Sequence, residues 1–327
     1  MLYINESEVK SLIDMPDVME QVDRAFKAQG ANQAPNQPRR RILMPKGTLH
    51  VMSGGLIDQG YIGVKAYATF PGIGVRFTVL LWDSNTAELL ALMESNIMGQ
   101  MRTGAASGVA ARYMARENAE VAGIIGSGWQ GRAQLEALCC ARALKTVRIY
   151  SRSAEKREKF VSVMQDKVEA ELVPVASSAE AVRGADIVCT ITSAREPVFD
   201  GTDLEEGVTV IAAGSNRATN REIDDETVRR AAAGRIVTDS LEGAQFESGD
   251  LIGAVQGRAI TWGQVVELGL IASGAMPGRG SEEETNLFVS QGVAIEDVAI
   301  AAEVYRRAKE TGAGKEFPRE GFFKKAT

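Results

Sequence analysis

The residues with the most recognisable chemistry lie at positions 126–131 and read GSGWQG. This complete G-x-G-x-x-G pattern follows an apolar run, VAGII, and precedes a stretch of helical composition. In that order the first glycine makes a tight turn, the second lets the backbone approach a pyrophosphate, and the third lets helix and strand pack closely. The helix then points free N–H groups at the phosphates. Because a second strand follows roughly twenty residues later, the pattern favours a dinucleotide site over a structural turn. Its predicted cofactor-binding residues are Gly126, Ser127, Gly128, Trp129, Gln130 and Gly131.

The residues after that second predicted strand bear on which dinucleotide binds. An NAD-specific site places an acidic residue there to bind the ribose 2′-hydroxyl, whereas this chain has Ser151, Arg152 and Ser153. A carboxylate would repel a 2′-phosphate, while serine and arginine can bind one. We therefore expect NADP(H) to be favoured over NAD(H). The alternative is that Arg152 is a solvated surface charge and both cofactors are accepted.

Four basic residues outside this unit are candidates for binding an anion. Arg41 closes the run PRRR, Lys65 interrupts the apolar strand IGVKAY, Arg76 lies on the next predicted strand, and Arg102 precedes a helix of small residues. A single charge at such a place is more often solvated than functional. Taken together, cations from separate strands and a helix start predict a carboxylate pocket, because arginine offers a planar fork and lysine a point charge.

Two patterns of secondary structure must position these residues. From residue 39 to residue 93, β-rich runs alternate with Gly/Pro or Asn/Asp punctuation, which predicts an antiparallel meander after a loop at 31–38. From residue 120 to residue 280, six β-rich runs alternate with helices or short loops. That second pattern predicts a doubly wound parallel sheet, and therefore an α/β Rossmann fold.

Two helices connect the predicted parts of the fold. The helix at 98–115 contains several small residues, including two glycines that cost helix stability, so we expect it to approach another backbone or a ligand closely. The amphipathic helix at 294–311 is expected to cross back to the N-terminal part. The predicted domains are a Rossmann domain at residues 118–293 and a discontinuous α+β domain at 1–117 and 294–327.

Composition and charge exclude several classes of protein. The net charge of −6 argues against nucleic acid as the main partner. No apolar run approaches the roughly 18 residues of a membrane span, and the first residues lack a signal-peptide pattern, so we expect a cytoplasmic protein with no membrane partner. The three cysteines lack metal-ligand spacing and His50 is the single histidine, so no metal site is predicted.

Several motifs together carry a resemblance to a known family. They are IGVK at 62–65, QMRTGAA at 100–106, the GSGWQG turn, AGSN at 213–216 with REID at 221–224, ESGDL at 247–251 and LFVSQGVAIED at 287–297. Over essentially its whole length the chain resembles the ornithine cyclodeaminase/mu-crystallin family. The resemblance implies a Rossmann domain and a second domain that binds substrate and builds a homodimer. It also implies a cyclodeaminase, an amino-acid dehydrogenase or a ketimine reductase.

The resemblance also assigns roles to individual residues. Arg41, Lys65 and Arg102 match positions that hold the α-carboxylate of the substrate, although Arg39 or Arg40 could replace Arg41 with a shift of register. Thr103 matches a neighbour of the cofactor phosphates. These assignments predict a small-molecule imino or amino acid as the partner of the site.

Asn216 is the main departure from the family pattern. Cyclodeaminases have an aspartate there as the acid/base that handles the substrate amine, and asparagine accepts no proton at neutral pH. It can still hydrogen-bond the nicotinamide or an imine. Reducing a protonated imine demands less, so Asn216 favours a reductase or dehydrogenase over a cyclodeaminase.

Two further residues are candidates for specificity and catalysis. Arg76, on the strand next to Lys65, could hold a second carboxylate, as in iminosuccinate; the alternative is an arginine that pairs with Glu88 or Glu94 across the sheet. His50 could donate a proton near the imine with a suitable pKa; the alternative is a packed histidine. Lys65, Asn216 and His50 are thus the candidate catalytic residues.

These observations favour an NAD(P)H-dependent reductase of α-imino acids that forms L-amino acids, or catalyses the reverse dehydrogenation. The conversion of iminosuccinate to aspartate is one candidate reaction. The first alternative is a deaminating cyclisation of ornithine with bound NAD. The second is a non-catalytic NADPH-binding protein of the mu-crystallin type.

Overall fold

The computed structural model describes residues 1–72 and 74–317. The strands are β1 Leu2–Ile4, β2 Asn36–Met44, β3 Gly47–Leu56, β4 Tyr61–Phe70, β5 Gly74–Asp83, β6 Leu89–Glu94, β7 Val121–Ile125, β8 Thr146–Tyr150, β9 Glu171–Pro174, β10 Ile187–Thr190, β11 Thr209–Ala212, β12 Arg235–Thr238, β13 Val265–Glu267, β14 Asn286–Val289 and β15 Lys315–Glu316. The α-helices are α1 Glu6–Leu12, α2 Met15–Gly30, α3 Asn96–Met114, α4 Trp129–Ala141, α5 Ala154–Met164, α6 Ser178–Val182, α7 Asp225–Ala231, α8 Leu241–Glu247, α9 Gly249–Gln256, α10 Leu268–Ala272 and α11 Ala294–Thr311.

The first sheet has the strand order β15-β1-β6-β5-β4-β3-β2. Strands β2 to β6 form the predicted antiparallel meander. The expected loop at 31–38 is wrong at its end, because β2 already begins at Asn36. Pro38 lies where the register with β3 shifts, between Gln37 and Arg40. At such a bulge the hydrogen-bond ladder is interrupted, so the missing N–H of proline is tolerated.

The second sheet has the order β13-β12-β14-β11-β10-β7-β8-β9, and its paired strands run parallel. The predicted α/β class with a doubly wound parallel sheet is confirmed. Strand order reverses at β7, which lies between β8 and β10, so the crevice above β7 is where such sheets bind ligands. The sequence did not predict β13 and β14. Both are short, and β14 is set between polar residues, although it lies between β11 and β12 inside the sheet.

Helices α3 and α11 join the two sheets. α3 is buried along most of its length and packs on α4 through its glycines: a Cβ on Gly104 would lie 2.3 Å from the carbonyl oxygen of Ala133. The close approach expected of this helix is therefore to another backbone. α11 packs on β3, β4 and α2. The division into domains at residues 118 and 294 stays a prediction. No helix in the described residues is long and apolar enough to cross a membrane.

The contact between α3 and α4 predicts a stability effect. Gly104→Ala would force the two helices apart, because its Cβ would meet the backbone of Ala133. We expect a loss of about 1–3 kcal/mol in the free energy of unfolding, measured by urea denaturation. Gly243→Ala in α8 is the control, because its Cβ would lie 3.4 Å from Ser240, an ordinary contact. That variant should be neutral or more stable; equal destabilisation of both would contradict the account.

Candidate active site

The candidate site lies where the carboxyl ends of the parallel strands meet the inner face of the first sheet. Asn216 follows β11, and its backbone oxygen accepts a hydrogen bond from Arg41 of β2, with 2.9 Å between Nη2 and O. Gln291 follows β14, and its backbone oxygen lies 2.8 Å from Nη2 of Arg39. These contacts place basic side chains of one sheet over the ligand-binding edge of the other.

The glycine turn has the geometry that a pyrophosphate requires. Gly126 has a φ of +127°, and a Cβ there would lie 2.3 Å from the backbone oxygen of Ile191. A Cβ on Gly131 would lie 2.3 Å from the oxygen of Gly126, whereas one on Gly128 would meet no atom within 4 Å. Gly128 is the N-cap of α4 and brings no side chain to the helix N–H groups. The turn therefore fits a dinucleotide, with open space at the second glycine.

The side chains of the turn differ in their surroundings. Trp129 is 54% exposed, and the guanidinium of Arg132 lies 6.0 Å from the centre of its ring. The side chain of Gln130 is half-buried. Neither the ring contact of Trp129 nor the partial burial of Gln130 identifies a ligand. The cofactor-binding roles of both residues therefore stay predictions.

The end of β8 joins the glycine turn through serine hydroxyls. Ser127 Oγ donates to Ser151 Oγ at 2.8 Å, and Ser151 Oγ donates to the backbone of Ser153. Ser153 also caps α5. Arg152 is exposed, and a second cation, Arg157, donates to the backbone oxygen of Ser151 at 2.9 Å. Sequence reasoning missed Arg157, which lies one helical turn into α5, and its position favours an anion near Ser151.

Lys65 lies on the inner face of β4 and is 2% exposed. Its Nζ donates to Oδ1 of Asp297 at 2.7 Å and lies 4.7 Å from the centre of the Phe77 ring. Burial lowers the pKa of Lys65 to about 8; the Asp297 carboxylate opposes that shift and the Arg102 guanidinium adds to it. Lys65 is therefore a buried ammonium whose charge depends on its neighbours.

Arg102 lies inside α3 rather than before it, because the helix begins at Asn96. Its Nη1 donates to Oε2 of Glu296 at 2.9 Å, and its Nε lies 3.7 Å from Oδ1 of Asp297. Gly292 makes room for this guanidinium, since a Cβ there would lie 2.3 Å from Nη1. Lys65 and Arg102 are thus brought together by two adjacent acids at the start of α11.

The bulge in β2 turns both Arg39 and Arg41 towards the cleft. The two oxygens of Glu247 each lie 2.5 Å from one of these guanidinium groups. Arg40 is exposed and pairs in register with Val51 on the other face, so it does not take the place of Arg41. Arg39 joins the site as a buried ion-pair partner rather than as a substitute for Arg41.

His50 lies between Arg41 and Tyr67 in register. Its ring stacks on Tyr67, with 4.3 Å between ring centres, and its Nε2 lies 3.1 Å from Thr69 Oγ1. Burial, followed by the charge of Arg41 and other nearby guanidinium groups, lowers the pKa of His50 to about 4. A pKa this low makes His50 less suited to donate a proton near neutral pH, and its catalytic role stays a prediction.

Arg76 lies on the opposite face of the sheet from Lys65. It pairs in register with Ala68, whereas Lys65 pairs with Val79, and it is exposed. The expectation that Arg76 shares a pocket with Lys65 is wrong, because the register of β4 with β5 places the two side chains on opposite faces of the sheet. A hydrogen bond from Tyr3, and to a smaller extent the charge of Arg76, lowers the pKa of Glu94. The charge of Arg76 thus acts on Glu94 across the sheet, while a pairing of Arg76 with Glu88 or Glu94 stays a prediction.

The loop that carries Asn216 is held by a buried carboxylate that sequence reasoning missed. Glu222 accepts hydrogen bonds from the backbone N–H of Gly214 at 2.7 Å and of Thr192 at 2.6 Å, and so joins the ends of β10 and β11. Burial raises its pKa to about 7. Thr103 is buried in α3, where its hydroxyl donates to the backbone oxygen of Gly99.

The cations of the cleft share three buried carboxylates. We call this set the cation cluster; its members are Arg39, Arg41, Lys65 and Arg102 with Glu247, Glu296 and Asp297. Four cations therefore converge on three carboxylates, and a fourth buried carboxylate, Asp239, interacts electrostatically with Arg102, Glu247 and Glu296. The three acids had no role in the sequence reasoning, although the apolar residues around AIED at 294–297 mark acids on a buried helix face. Within residues 1–72 and 74–317, no His, Cys, Asp and Glu side chains form a group that could hold a metal ion.

A dinucleotide turn beside a cation-lined cleft is typical of nicotinamide-dependent oxidoreductases that bind small acids, and this chain has both features. The sequence pattern of the ornithine cyclodeaminase/mu-crystallin family matches residues 2–312. The chain belongs to this family, as the sequence resemblance implied.

Individual relatives cover nearly the whole chain. A Delta(1)-pyrroline-2-carboxylate reductase of Bacillus cereus is 34% identical over 324 residues, which are 96% of this chain and 99% of that protein. The structure of Thermococcus litoralis Delta(1)-pyrroline-2-carboxylate reductase in complex with NADH and L-proline has a TM-score of 0.92 at 37% identity, over 97% of this chain and 100% of that one. An archaeal alanine dehydrogenase dimer with bound NAD has a TM-score of 0.91 at 33% identity, over 98% and 99% of the two chains.

The glycine turn yields a prediction that separates ligand binding from stability. Gly128→Val would place a side chain in open space, so the melting temperature should stay near that of the parent while the affinity for NADH and NADPH falls at least tenfold. Gly131→Ala would place a Cβ against the oxygen of Gly126 and should lower the melting temperature. Calorimetry and nucleotide titration measure the two effects. Full nucleotide affinity in the Gly128 variant would contradict the placement.

Proposed function

We propose that this chain is an NAD(P)H-dependent reductase of α-imino acids that forms L-amino acids and catalyses the reverse dehydrogenation. The observation that carries the proposal is the convergence of the four cations of the cation cluster at the edge of the sheet that bears the glycine turn. Relatives named as pyrroline-2-carboxylate reductases support it. A cyclic imine that bears one α-carboxylate is therefore the substrate class to test first.

The cations hold the substrate by its carboxylate. Lys65 and Arg102, both buried, and Arg41, half-buried, would bind its two oxygens and fix the imine carbon towards the end of the crevice above β7. Such charge-assisted hydrogen bonds in a water-poor cleft are strong and directional. Their function is orientation, which brings the reacting carbon within reach of the nicotinamide.

A nicotinamide cofactor, when bound, supplies the hydride that forms a C–H bond at the imine carbon, while the C=N electron pair passes to the protonated nitrogen and NAD(P)H becomes NAD(P)⁺. Asn216 would orient the imine or the nicotinamide amide, since its side chain donates and accepts hydrogen bonds without titrating. The neutral His50 would add a hydrogen bond at most. An imine that arrives protonated needs no strong acid from these residues.

The residues at 151–153 and Arg157 suit either nicotinamide cofactor, with NADP(H) favoured. No carboxylate follows β8 within these three residues to bind a ribose 2′-hydroxyl or to repel a 2′-phosphate. The two relatives with solved structures described above contain NADH or NAD. Kinetics with both reduced cofactors decide this point, and a preference for NADH above tenfold would overturn our interpretation of Ser151, Arg152 and Ser153.

The test of the proposed function is oxidation of NADPH or NADH with a panel of imino acids, including pyrroline-2-carboxylate, piperideine-2-carboxylate, N-methylated imines of pyruvate and iminosuccinate. Lys65→Ala and Arg102→Ala should lower kcat/KM by about a hundredfold or more, because each removes a charge from the buried carboxylate site. Arg24→Ala is the control: Arg24 is an exposed arginine on α2 that pairs with Glu20, away from both the cleft and the outer face of the first sheet, and the variant should retain kcat/KM within about twofold.

The outcomes of this panel also separate the alternatives. Unchanged kcat/KM in the Lys65 and Arg102 variants would contradict the carboxylate role. Ammonia release from ornithine with NAD and no net NADH would support the cyclodeaminase instead. Tight NADPH binding with no turnover of any imine would support a non-catalytic member of the family.

The outer face of the first sheet supports a homodimer. Ile42, Leu49 and Ile62 are each at least 38% exposed there, and an apolar groove beside them is lined by Val64 and Trp82. A surface of this kind is typical of an interface. We expect a dimer in which two copies of this face pack together; the structural relative described as an alanine dehydrogenase dimer supports this.

Ile62→Lys should convert the dimer to monomer, because it buries a charge in an apolar interface. Light scattering after size-exclusion chromatography measures the change. Val163→Lys is the control: Val163 is 41% exposed on α5, away from this sheet. A dimer that survives the Ile62 substitution would place the interface elsewhere.

A further inference from the structure

The Lys65–Asp297 pair is the most enclosed ion pair of the cation cluster. Both side chains are 1% exposed, and 2.7 Å separates Nζ from Oδ1. The second oxygen of Asp297, Oδ2, is buried and has no hydrogen-bond partner among the described residues. Oε1 of the adjacent Glu296 is likewise buried without a hydrogen-bond partner among the described residues, so the feature that distinguishes Asp297 is its direct ion pair with the lysine.

The groups that face Lys65 come from four elements. From α11 comes the carboxylate of Asp297, from α3 the guanidinium of Arg102, from β2 the guanidinium of Arg39, and from β5 the ring of Phe77. Glu296, also on α11, is turned towards Arg102 and accepts its hydrogen bond. The cations oppose the charge on Lys65, so the carboxylate of Asp297 must sustain it.

Two features make the charge of Lys65 sensitive to Asp297. Burial already brings the pKa of Lys65 down to about 8, close to physiological pH, and Asp297 works against that change. Arginine, in contrast, stays charged under all such conditions. Lys65 is therefore the member of the carboxylate site whose charge a neighbouring acid can control.

We propose that Asp297 is a positioning residue that keeps Lys65 protonated and fixes the direction of its ammonium group for the incoming imino-acid carboxylate. The inference rests on the proposed function and deepens it. It assigns different roles to two adjacent buried acids: Asp297 sets the charge of the lysine, while Glu296 orients an arginine whose charge is permanent.

The direction of the expected pH shift follows from the form of Lys65 that binds the substrate. Imino-acid binding needs the ammonium form of Lys65, so kcat/KM should fall as pH rises through the pKa of about 8 in the parent protein. In Asp297→Asn the attraction that favours the charged lysine is lost, so the same fall should begin at lower pH. A displacement of about one to three pH units is expected for the loss of an opposite charge at this distance.

The experiment compares Asp297→Asn with Glu296→Gln. Both substitutions remove one buried carboxylate from adjacent positions on α11, so general damage to the helix should affect both. The pH profile of kcat/KM with pyrroline-2-carboxylate is measured for each, together with the affinity of the non-reducible planar analogue pyrrole-2-carboxylate across the same pH range. Only Asp297→Asn should lower the midpoint. Burial raises the pKa of Glu296 to about 8 as well, so Glu296→Gln tests whether that carboxyl group is the one that titrates; a midpoint that moves equally in Glu296→Gln would assign the titration to Glu296 and overturn the inference.

A second pair of variants isolates the lysine. In Lys65→Arg the cation no longer titrates, so adding Asp297→Asn to it should leave the pH midpoint unchanged. A shift of equal size with and without Lys65 would overturn the inference, because the titrating group would then be another residue. Equal midpoints in Asp297→Asn and the parent would overturn it as well.

Failure of the inference and failure of the proposed function are distinguishable. If the parent reduces imino acids but Asp297→Asn keeps its midpoint, the inference fails and the function stands. If the parent reduces none but pyrrole-2-carboxylate binding shifts with Asp297→Asn, the function fails and the positioning role stands. If the parent neither reduces imino acids nor binds pyrrole-2-carboxylate, both fall.

Discussion

The structure depends on the pairing of buried charges across the cleft. Four cations on β2, β4 and α3 lie in the cleft, three of them buried and Arg41 half-buried, and leaving the buried charges unpaired would be strongly destabilising. Their partners come from elsewhere in the chain: Glu247 ends α8, and Glu296 and Asp297 begin α11. The ion pairs therefore fix how the first sheet faces the carboxyl edge of the parallel sheet, and with it the shape of the candidate active site.

This arrangement links substrate recognition to the cofactor side. Arg41 contacts both Glu247 and the backbone of Asn216, while Arg39 reaches the backbone of Gln291 after β14. The loop of Asn216 is in turn held to the end of β10 by Glu222. A displacement of the loop would thus alter both the hydrogen bonds available to a nicotinamide and the fork of Arg41. Binding of one ligand should be sensitive to the presence of the other.

Local physical requirements explain what the sequence could predict. The roles of Gly126, Gly128 and Gly131 depend on turn geometry within six residues, so the glycine turn was visible in the sequence alone. Lys65 could be identified as a candidate because a charged residue is unexpected inside an apolar strand. The helix α11 was also predictable, because its apolar face repeats regularly.

Long-range pairing explains what the sequence could not predict. Which face Arg76 occupies depends on the register of β4 with β5, where Ala68 and not Lys65 is its neighbour. The low pKa of His50 depends on burial and on guanidinium groups from distant parts of the chain. The acids that neutralise the cations lie about 200 residues away from them, as with the 232-residue separation of Lys65 and Asp297.

The most direct test is a crystal structure with NAD(P)⁺ and pyrrole-2-carboxylate bound. The central claim predicts the pyrophosphate over Gly128 and the carboxylate within hydrogen-bond distance of Lys65 and at least one of Arg41 and Arg102, with the ring facing the nicotinamide. A carboxylate bound away from all three cations, or a ring turned away from the nicotinamide, would contradict it.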